Sequence, residues 1–400
     1  MKQLMLPRVL MLGWELPPYN SGGLGTACEG LATALADEEV ETIFVLPKKL
    51  PITSDIFQIV FAGPAALLDD ERVLFAAYKT GAGASERFAG LSLIDEVKLY
   101  ARRVRKLVKQ EGGNFDVIHA HDWLAFPAGL VAREVSGKPL VVHVHATEYD
   151  RGGGDSVNQE VYEIEKKGMQ LADQIIAVSD WTKKLLVKYY GISPAKIKIV
   201  HNGVRAEDYG VLPGTLEALK KSGNKIVLFV GRITLQKGPD YFVQLAKRVL
   251  EYAPQTYFVM VGTGDMLPQV MKLAAELRIS DRFFFPGFLR GTELARIYQS
   301  ADLYILPSVS EPFGITPLES LANGTPVLVS KQSGVAEVLS HALKVDFWDV
   351  DEMTNQILAV LRHDSLQKTL AEYGQSEVKG VTWAKAAEKC LDIYRQVCYT

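Results

Sequence analysis

The chain has 400 residues, 48% of them hydrophobic and 23% charged, the composition of an ordinary soluble globular protein of about two domains. A formal net charge of −3 provides no basic surplus for a nucleic-acid partner. Three cysteines, Cys28, Cys390 and Cys398, are odd in number and unpatterned, which argues against a disulfide or zinc framework and suits a reducing cytoplasm. No apolar stretch approaches spanning length, and Pro7-Arg8 interrupts the run-up to the apolar Val9–Trp14, so neither a membrane span nor a signal peptide is expected.

Short β-branched runs alternate with helical patterns along the chain. Strands are predicted at Val9–Gly13, Ile43–Pro47, Val117–His121, Leu140–His145, Ile175–Ser179 and Ile197–Asn202. A second series is predicted at Lys225–Gly231, Tyr257–Gly262, Phe283–Gly287, Leu303–Pro307 and Val327–Ser330. Runs this apolar imply strands buried on both faces, and their spacing leaves room for crossover helices. The fold class is therefore α/β, with parallel, doubly wound sheets. Gly203–Asn224 has Gly, Pro and charge but no strand pattern, and it separates the two series. The expected architecture is two Rossmann-like domains, residues 1–205 and 206–382, with a cleft between them. Trp383–Val397 has helical periodicity in Ala387, Leu391 and Tyr394, and residues 383–400 are expected to pack back on the first domain.

Ligands of doubly wound sheets bind beyond the carboxyl ends of strands, so the residues ending each run come first. Ser21-Gly-Gly-Leu-Gly25 follows the first strand, and glycines there let backbone approach a diphosphate or sugar. A plain tight turn explains it equally well, since the run is not Gly-x-Gly-x-x-Gly. His119, His121, Asp122 and Trp123 end one strand, and His143, His145 and Glu148 end the next. Strand period 2 puts His119 with His121 on one face, and His143 with His145 likewise. Paired imidazoles with a carboxylate are suitable zinc ligands, yet no motif of familiar zinc spacing is present, and no metal is expected. The stretch Arg151-Gly-Gly-Gly154 reads as a mobile loop or a long turn.

In the second half, Gly231-Arg-Ile-Thr-Leu-Gln-Lys-Gly238 places Arg232 and Lys237 after a strand. A guanidinium fork and an ammonium point charge beside glycines suit a diphosphate leaving group without a metal; the rival reading is a solvated loop pair. Gly262-Thr-Gly-Asp265, with Gly264, is a further strand-end turn. The most informative run is Glu311-Pro-Phe-Gly-Ile-Thr-Pro-Leu-Glu319. Thr316 is read as an N-cap, Pro317 as the first helical residue, and Gly324 and Pro326 as the stop. That presents backbone N–H groups and a positive helix end at Phe313, Gly314 and Ile315, suited to phosphates and polar sugars. A capping box from Thr316 to Glu319 would account for Glu319 but leaves Glu311 without a role. Asp349-Val-Asp351 resembles a metal-binding Asp-x-Asp, but Asp351 is read as the N-cap of a helix over Met353–Leu361. Arg102, Arg103, Arg105, Lys106 and Lys109 form a basic face read as solvated, with contact to anionic lipid the weaker alternative.

Together these motifs closely resemble glycosyltransferase family 4, retaining enzymes of the GT-B fold. The resemblance runs over nearly the whole chain, from Gly22-Gly-Leu-Gly25 through His121-Asp-Trp123, His145-Ala-Thr-Glu148 and Val200-His-Asn-Gly203 to Arg232, Lys237 and the Glu311–Glu319 pair. The run His119-Ala-His-Asp-Trp123 is similar to that of glycogen and starch synthases. Those synthases typically carry a Lys before the Gly-Gly turn, where this chain has Asn20-Ser21, and they differ from Lys331-Gln-Ser-Gly-Val335 after the glutamate pair. Elongation of an α-glucan is thus the second reading, and an inactive nucleotide-sugar-binding subunit the third.

The resemblance implies transfer of a hexosyl group, glucosyl or mannosyl, from a nucleoside-diphosphate sugar to a hydroxyl acceptor, with no cofactor or metal. Residues 1–205 would serve the acceptor side and residues 206–382 the donor. Arg232 and Lys237 would neutralise the departing diphosphate. Glu319 would accept from the ribose hydroxyls, and Glu311, with the backbone of Phe313, Gly314 and Ile315, would hold the sugar. Gly22 and Gly23 would approach the diphosphate, and Gly264 and Phe288 would belong to the donor site. His145 matches the family's catalytic-site histidine, with His143 the neighbouring candidate. Asp122, with His121 and Glu148, would face the acceptor.

Overall fold

The computed structural model describes residues 6–20, 22–64, 92–110, 112–153, 157–204, 220 and 222–399. Most of the Gly203–Asn224 separator lies outside these residues, as do Ser21 and Gly154. The chain divides into two compact units, Met1–Gly203 with Trp383–Thr400, and Val204–Thr382.

The first unit is built on a seven-stranded sheet. Its strands are β1 (Val9–Leu12), β2 (Thr42–Leu46), β3 (Gln58–Phe61), β4 (Val117–His121), β5 (Leu140–Val144), β6 (Gln174–Ala177) and β7 (Ile197–Ile199). They lie in the order β3-β2-β1-β4-β5-β6-β7, and every pairing is parallel. The second unit carries a six-stranded parallel sheet of β8 (Lys225–Val230), β9 (Thr256–Val261), β10 (Phe283–Gly287), β11 (Leu303–Leu306), β12 (Val327–Ser330) and β13 (Leu343–Val345). Its order is β10-β9-β8-β11-β12-β13. Central strands such as β1, β4, β5 and β11 are buried along their whole length, β1 and β11 as unbroken apolar runs and β4 and β5 with histidines among the apolar residues. In each sheet the strand order reverses once, between β1 and β4 and between β8 and β11. Those switch points open a crevice at the carboxyl ends of the central strands.

Two edge strands escape the sequence pattern. β3 is only partly buried and β13 spans three residues, so neither offers the long apolar run that marks the interior strands. The C-terminal helix Trp383–Tyr399 belongs to the first unit, where it lies beside the helix Gly23–Asp37 and over β4. It buries Ala387, Leu391 and Tyr394, and the Tyr394 hydroxyl meets His119 Nδ1 at 2.6 Å.

The helix near Asp351 starts earlier than expected. It spans Val350–Arg362, and Asp349 caps it by accepting from the Glu352 N–H at 3.0 Å. Asp351 instead sits in the first turn and pairs with Arg248. The side chain two residues upstream reaches the free N–H groups with better geometry, so the cap moves there. The helix Leu93–Gln110 buries Val97, Tyr100, Val104 and Val108, and its outward charges are partly paired, Arg105 with Glu134 at 2.7 Å and Lys98 with Glu160 at 3.1 Å. Among the described residues no helix is long and apolar enough to cross a membrane.

Candidate functional site

In the first unit, β4 and β5 are neighbours, and their register sets His121 beside His143. Period 2 then brings His119, His121, His143 and His145 into one layer. Their ring centroids stand 4.3 Å apart for His119 and His121, 4.2 Å for His143 and His145, and 5.3 Å for His121 and His143. His121 Nδ1 and His145 Nε2 share a hydrogen bond of 2.9 Å. Burial drives the His145 and His119 imidazoles down to about 3, for His119 with a further push from His145. Burial and the neighbouring rings likewise hold His121 and His143 well below their ordinary value. The layer is therefore neutral at physiological pH.

Neutrality has a measurable consequence. An unfolded histidine takes a proton near pH 6.5, while folded His143 stays neutral well below that. The unfolded chain thus binds more protons on the acid side, and stability falls as pH drops below about 6.5. At pH 5 the loss is about 2 kcal/mol for one such histidine. Neither nitrogen of His143 has a hydrogen-bond partner, so His143→Leu strands no other group. In metal-free buffer that variant should lose about 2 kcal/mol less than wild type between pH 8 and pH 5, read from urea midpoints. Parallel pH profiles would show that the buried ring titrates in the fold.

Asp122 starts the helix Asp122–Ser136 with φ 58°, a left-handed conformation uncommon for a residue with a side chain. Its carboxylate is buried and turned toward the chain, accepting from the His145 N–H at 2.6 Å and the Ala146 N–H at 3.3 Å. Burial pushes its pKa up to about 7 against the lowering by Arg151 and by those two N–H groups. Asp122 therefore holds the backbone that carries His145. Glu148 is also engaged, with Oε2 on Arg151 Nε at 3.0 Å and Oε1 accepting from the Asn158 N–H at 3.1 Å. Arg151, read from sequence as the start of a loop, ends a short helix Glu148–Arg151 and is buried. Gly22 is the N-cap of the helix Gly23–Asp37, and a Cβ at Gly23 would meet nothing within 4 Å. Asn20 braces this turn through Gly22 O at 3.0 Å and Thr26 Oγ1 at 3.2 Å.

In the second unit the strand-end residues converge. Lys237 lies in the turn Leu235–Lys237 after β8, and Glu311 lies beyond β11, the neighbouring strand. Lys237 Nζ and Glu311 Oε2 form an ion pair with side chains only 14% and 7% exposed. Ser308 Oγ is 3.4 Å from the same oxygen. The Glu311 backbone is pinned to the segment after β12: its N–H donates to Gln332 O at 2.9 Å, and its carbonyl accepts from the Gly334 N–H at 2.9 Å. Half-buried Arg232 lies two residues beyond the end of β8. A Cβ on Gly264 would stand 2.2 Å from Ile233 O, so glycine lets the post-β9 turn lie against the Arg232–Ile233 segment. Phe288 is 40% exposed, and the Arg290 guanidinium lies 4.7 Å from its ring centroid.

The helix after Glu311 spans Ile315–Ala322, and its N-cap is Gly314 at φ 98°. The start is thus two residues earlier than the Thr316 cap predicted from sequence. Gly314 reaches a left-handed conformation closed to Thr, and its Cβ position is already crowded by Glu311 Cγ at 3.2 Å. Thr316 sits inside the helix and pairs with the Tyr304 hydroxyl at 2.8 Å. No capping box forms: Glu319 instead accepts from the Tyr298 hydroxyl at 2.9 Å. Its carboxylate is held by a side chain 21 residues upstream, a partner that no local spacing signals. Tyr298, Ser308 and the buried Arg151–Glu165 pair are the members of the two constellations that sequence reasoning missed.

Among the described residues, two groups could hold a cation, His119 with His121 and His143, and Cys28 with His121 and His145. Within each group the donor atoms lie within 4.8 Å of one another. The Cys28 thiol is pushed up by burial and then by Asp122 and Glu15.

Comparison with known proteins places these features. Residues 21–208 match the family profile Glycosyltransferase Family 4, and residues 217–377 match Glycosyl transferases group 1. A D-inositol 3-phosphate glycosyltransferase of Kribbella flavida is 30% identical, with 99% of this chain and 97% of that protein covered. Among solved structures, sucrose-phosphate synthase from Thermosynechococcus elongatus superposes with a TM-score of 0.76 at 20% identity, covering 97% of this chain and 98% of that one. Anabaena HepE in complex with UDP and glucose gives 0.74 at 17% identity, covering 98% and 100%. The two parallel α/β sheets, their switch-point residues and these matches agree: the chain belongs to glycosyltransferase family 4 and has the GT-B fold.

Proposed function

We propose that this glycosyltransferase moves a glucosyl or mannosyl group from a nucleoside-diphosphate sugar to a hydroxyl acceptor, with retention of anomeric configuration. The observation that carries the reading is the Lys237–Glu311 pair at the switch point of the second sheet, beside Arg232 and the N-terminus of the helix Ile315–Ala322. Lys237 and Arg232 take the diphosphate, whose charge grows as its bond to the anomeric carbon breaks. When Lys237 turns to the phosphate, Glu311 is released to accept from the sugar hydroxyls, with the backbone of Phe313, Gly314 and Ile315 beside it. Glu319, oriented by Tyr298, takes the ribose hydroxyls. The bond from the acceptor oxygen to the anomeric carbon forms on the face the diphosphate leaves, and the leaving phosphate accepts the acceptor's proton. His145, neutral and held by Asp122, touches the donor sugar as a hydrogen-bonding group and not as a cation.

No metal takes part in this scheme, because two cationic side chains and a helix end supply the neutralising charge. Free thiols at Cys28, Cys390 and Cys398 suit a reducing compartment, and we place the reaction in the cytoplasm. HepE was solved with UDP and glucose, which makes UDP-glucose the first donor to try. The test is a panel of uridine, guanosine and adenosine diphosphate sugars with hydroxyl acceptors, including oligosaccharides, without added divalent cation. Release of the free nucleoside diphosphate and a product with the donor's anomeric configuration by NMR is the expected result. A folded chain that releases none from any pair, or an inverted product, would overturn the proposal.

A further inference from the structure

We infer that His119, His121 and His143 form a buried binding site for a borderline transition-metal cation of the zinc, cobalt or nickel kind. This inference does not rest on the proposed transfer reaction, and the ion it implies is structural. Buried polar atoms in folded proteins nearly always have partners, and each exception asks for an explanation such as an ion or a water. Here the exceptions cluster: His119 Nε2, His121 Nε2, His145 Nδ1 and both nitrogens of His143 are buried without a hydrogen-bond partner.

The outer nitrogens make the case sharper. His119 Nδ1 is occupied by the Tyr394 hydroxyl, and His121 Nδ1 by His145 Nε2. In each ring this leaves Nε2 buried and unpartnered, and metal-ligating imidazoles are likewise oriented by a partner on their other nitrogen. Three neutral imidazoles are a ligand set suited to zinc and its neighbours, and less so to calcium or magnesium, which favour oxygen. Their donor atoms already lie within 4.8 Å of one another. The rings of His119 and His143 are nearly parallel at 7°, so closing on an ion turns one of them about its soft outer torsion. The competing set, Cys28 with His121 and His145, needs a buried thiol to ionise. An ion on the three histidines would tie β4 and β5 to the C-terminal helix through Tyr394.

The sequence showed these histidines as suitable zinc ligands but in no familiar zinc spacing, because each strand contributes only a His-x-His pair; the β4–β5 register assembles them. The test uses the full-length chain without an affinity tag, stripped with a chelator and then titrated with Zn2+ by calorimetry and with Co2+ by visible absorption. One equivalent per chain, a raised Tm with Zn2+ and tetrahedral-type Co2+ bands are expected. His143→Leu should weaken Zn2+ binding by at least about 100-fold, the upper end of what losing even a supporting partner costs a metal site. Absence of saturable binding by wild type, or wild-type affinity in His143→Leu, overturns the assignment. A thiolate-to-Co2+ charge-transfer band does so as well, because it would place the ion on Cys28. Should the variant fail to fold, X-ray absorption of the wild-type Zn2+ complex decides: three imidazole shells support the site, and fewer than three overturn it.

Discussion

Lys237→Ala is expected to lower kcat by about 10²- to 10³-fold, the usual consequence of removing one preorganised charge donor from a developing anion. Two effects must be separated, because Lys237 is also the cation beside a buried carboxylate. Removing it leaves Glu311 with Ser308 at 3.4 Å as its remaining side-chain neighbour of known geometry, and a stranded buried charge destabilises the fold. Glu311→Gln removes that problem while keeping the shape. If Lys237 served only to neutralise Glu311, the double variant Lys237→Ala/Glu311→Gln would turn over as fast as Glu311→Gln alone. If Lys237 serves the diphosphate, the double variant stays far slower than Glu311→Gln although its urea midpoint recovers. The second pattern is expected. Nucleoside diphosphate release by Lys237→Ala within about threefold of wild type would move the diphosphate away from Lys237, since a loss that small is below 1 kcal/mol of transition-state stabilisation.

The fold was legible wherever a strand is buried on both faces. β12 begins and ends where its run does, and β1 and β11 begin where theirs do and stop one residue short, because an interior strand of a parallel sheet is apolar on both faces. β3 and β13 were not legible, since an edge strand gains one neighbour instead of two and needs no such run. The site was legible as residue types at strand ends and much less so as geometry. Thr316 and Pro317 carry the usual signs of a helix start, but Gly314 can enter the left-handed region and starts the helix first. Glu319 looked half explained by a local cap, and only the folded chain brings Tyr298 to it. Asp122 carried no sign that its carboxylate would bind backbone N–H groups 23 and 24 residues away. Such pairings are set by strand register, which local periodicity does not encode.

Glu165→Ala should cost about 3–5 kcal/mol, because it leaves the Arg151 guanidinium buried with one carboxylate fewer. Arg151 is 6% exposed at its side chain and reaches Glu148 at 3.0 Å on one edge and Glu165 on the other. Burial acts against its charge, but Glu165 and Glu148 outweigh it and hold its pKa above the usual value. Glu165 also accepts from the Tyr190 hydroxyl and from the Glu148 N–H at 3.1 Å, so truncation strands three donors at once. Glu165→Gln keeps an oxygen for two of them and should cost less, which separates lost charge from lost hydrogen bonds. The network also bears on the candidate active residue. Arg151 reaches Ala146 O at 3.5 Å while Asp122 takes the His145 and Ala146 N–H groups, so the segment carrying His145 is held from both sides. A Glu165→Gln chain that remains folded at working temperature should therefore lose kcat more than it loses affinity for the nucleoside diphosphate, whose contacts we place in the other unit. Urea unfolding gives the stability cost and steady-state kinetics the split. A cost below about 1 kcal/mol for Glu165→Ala would mean that water reaches Arg151 and that the pair is no more than a surface ion pair.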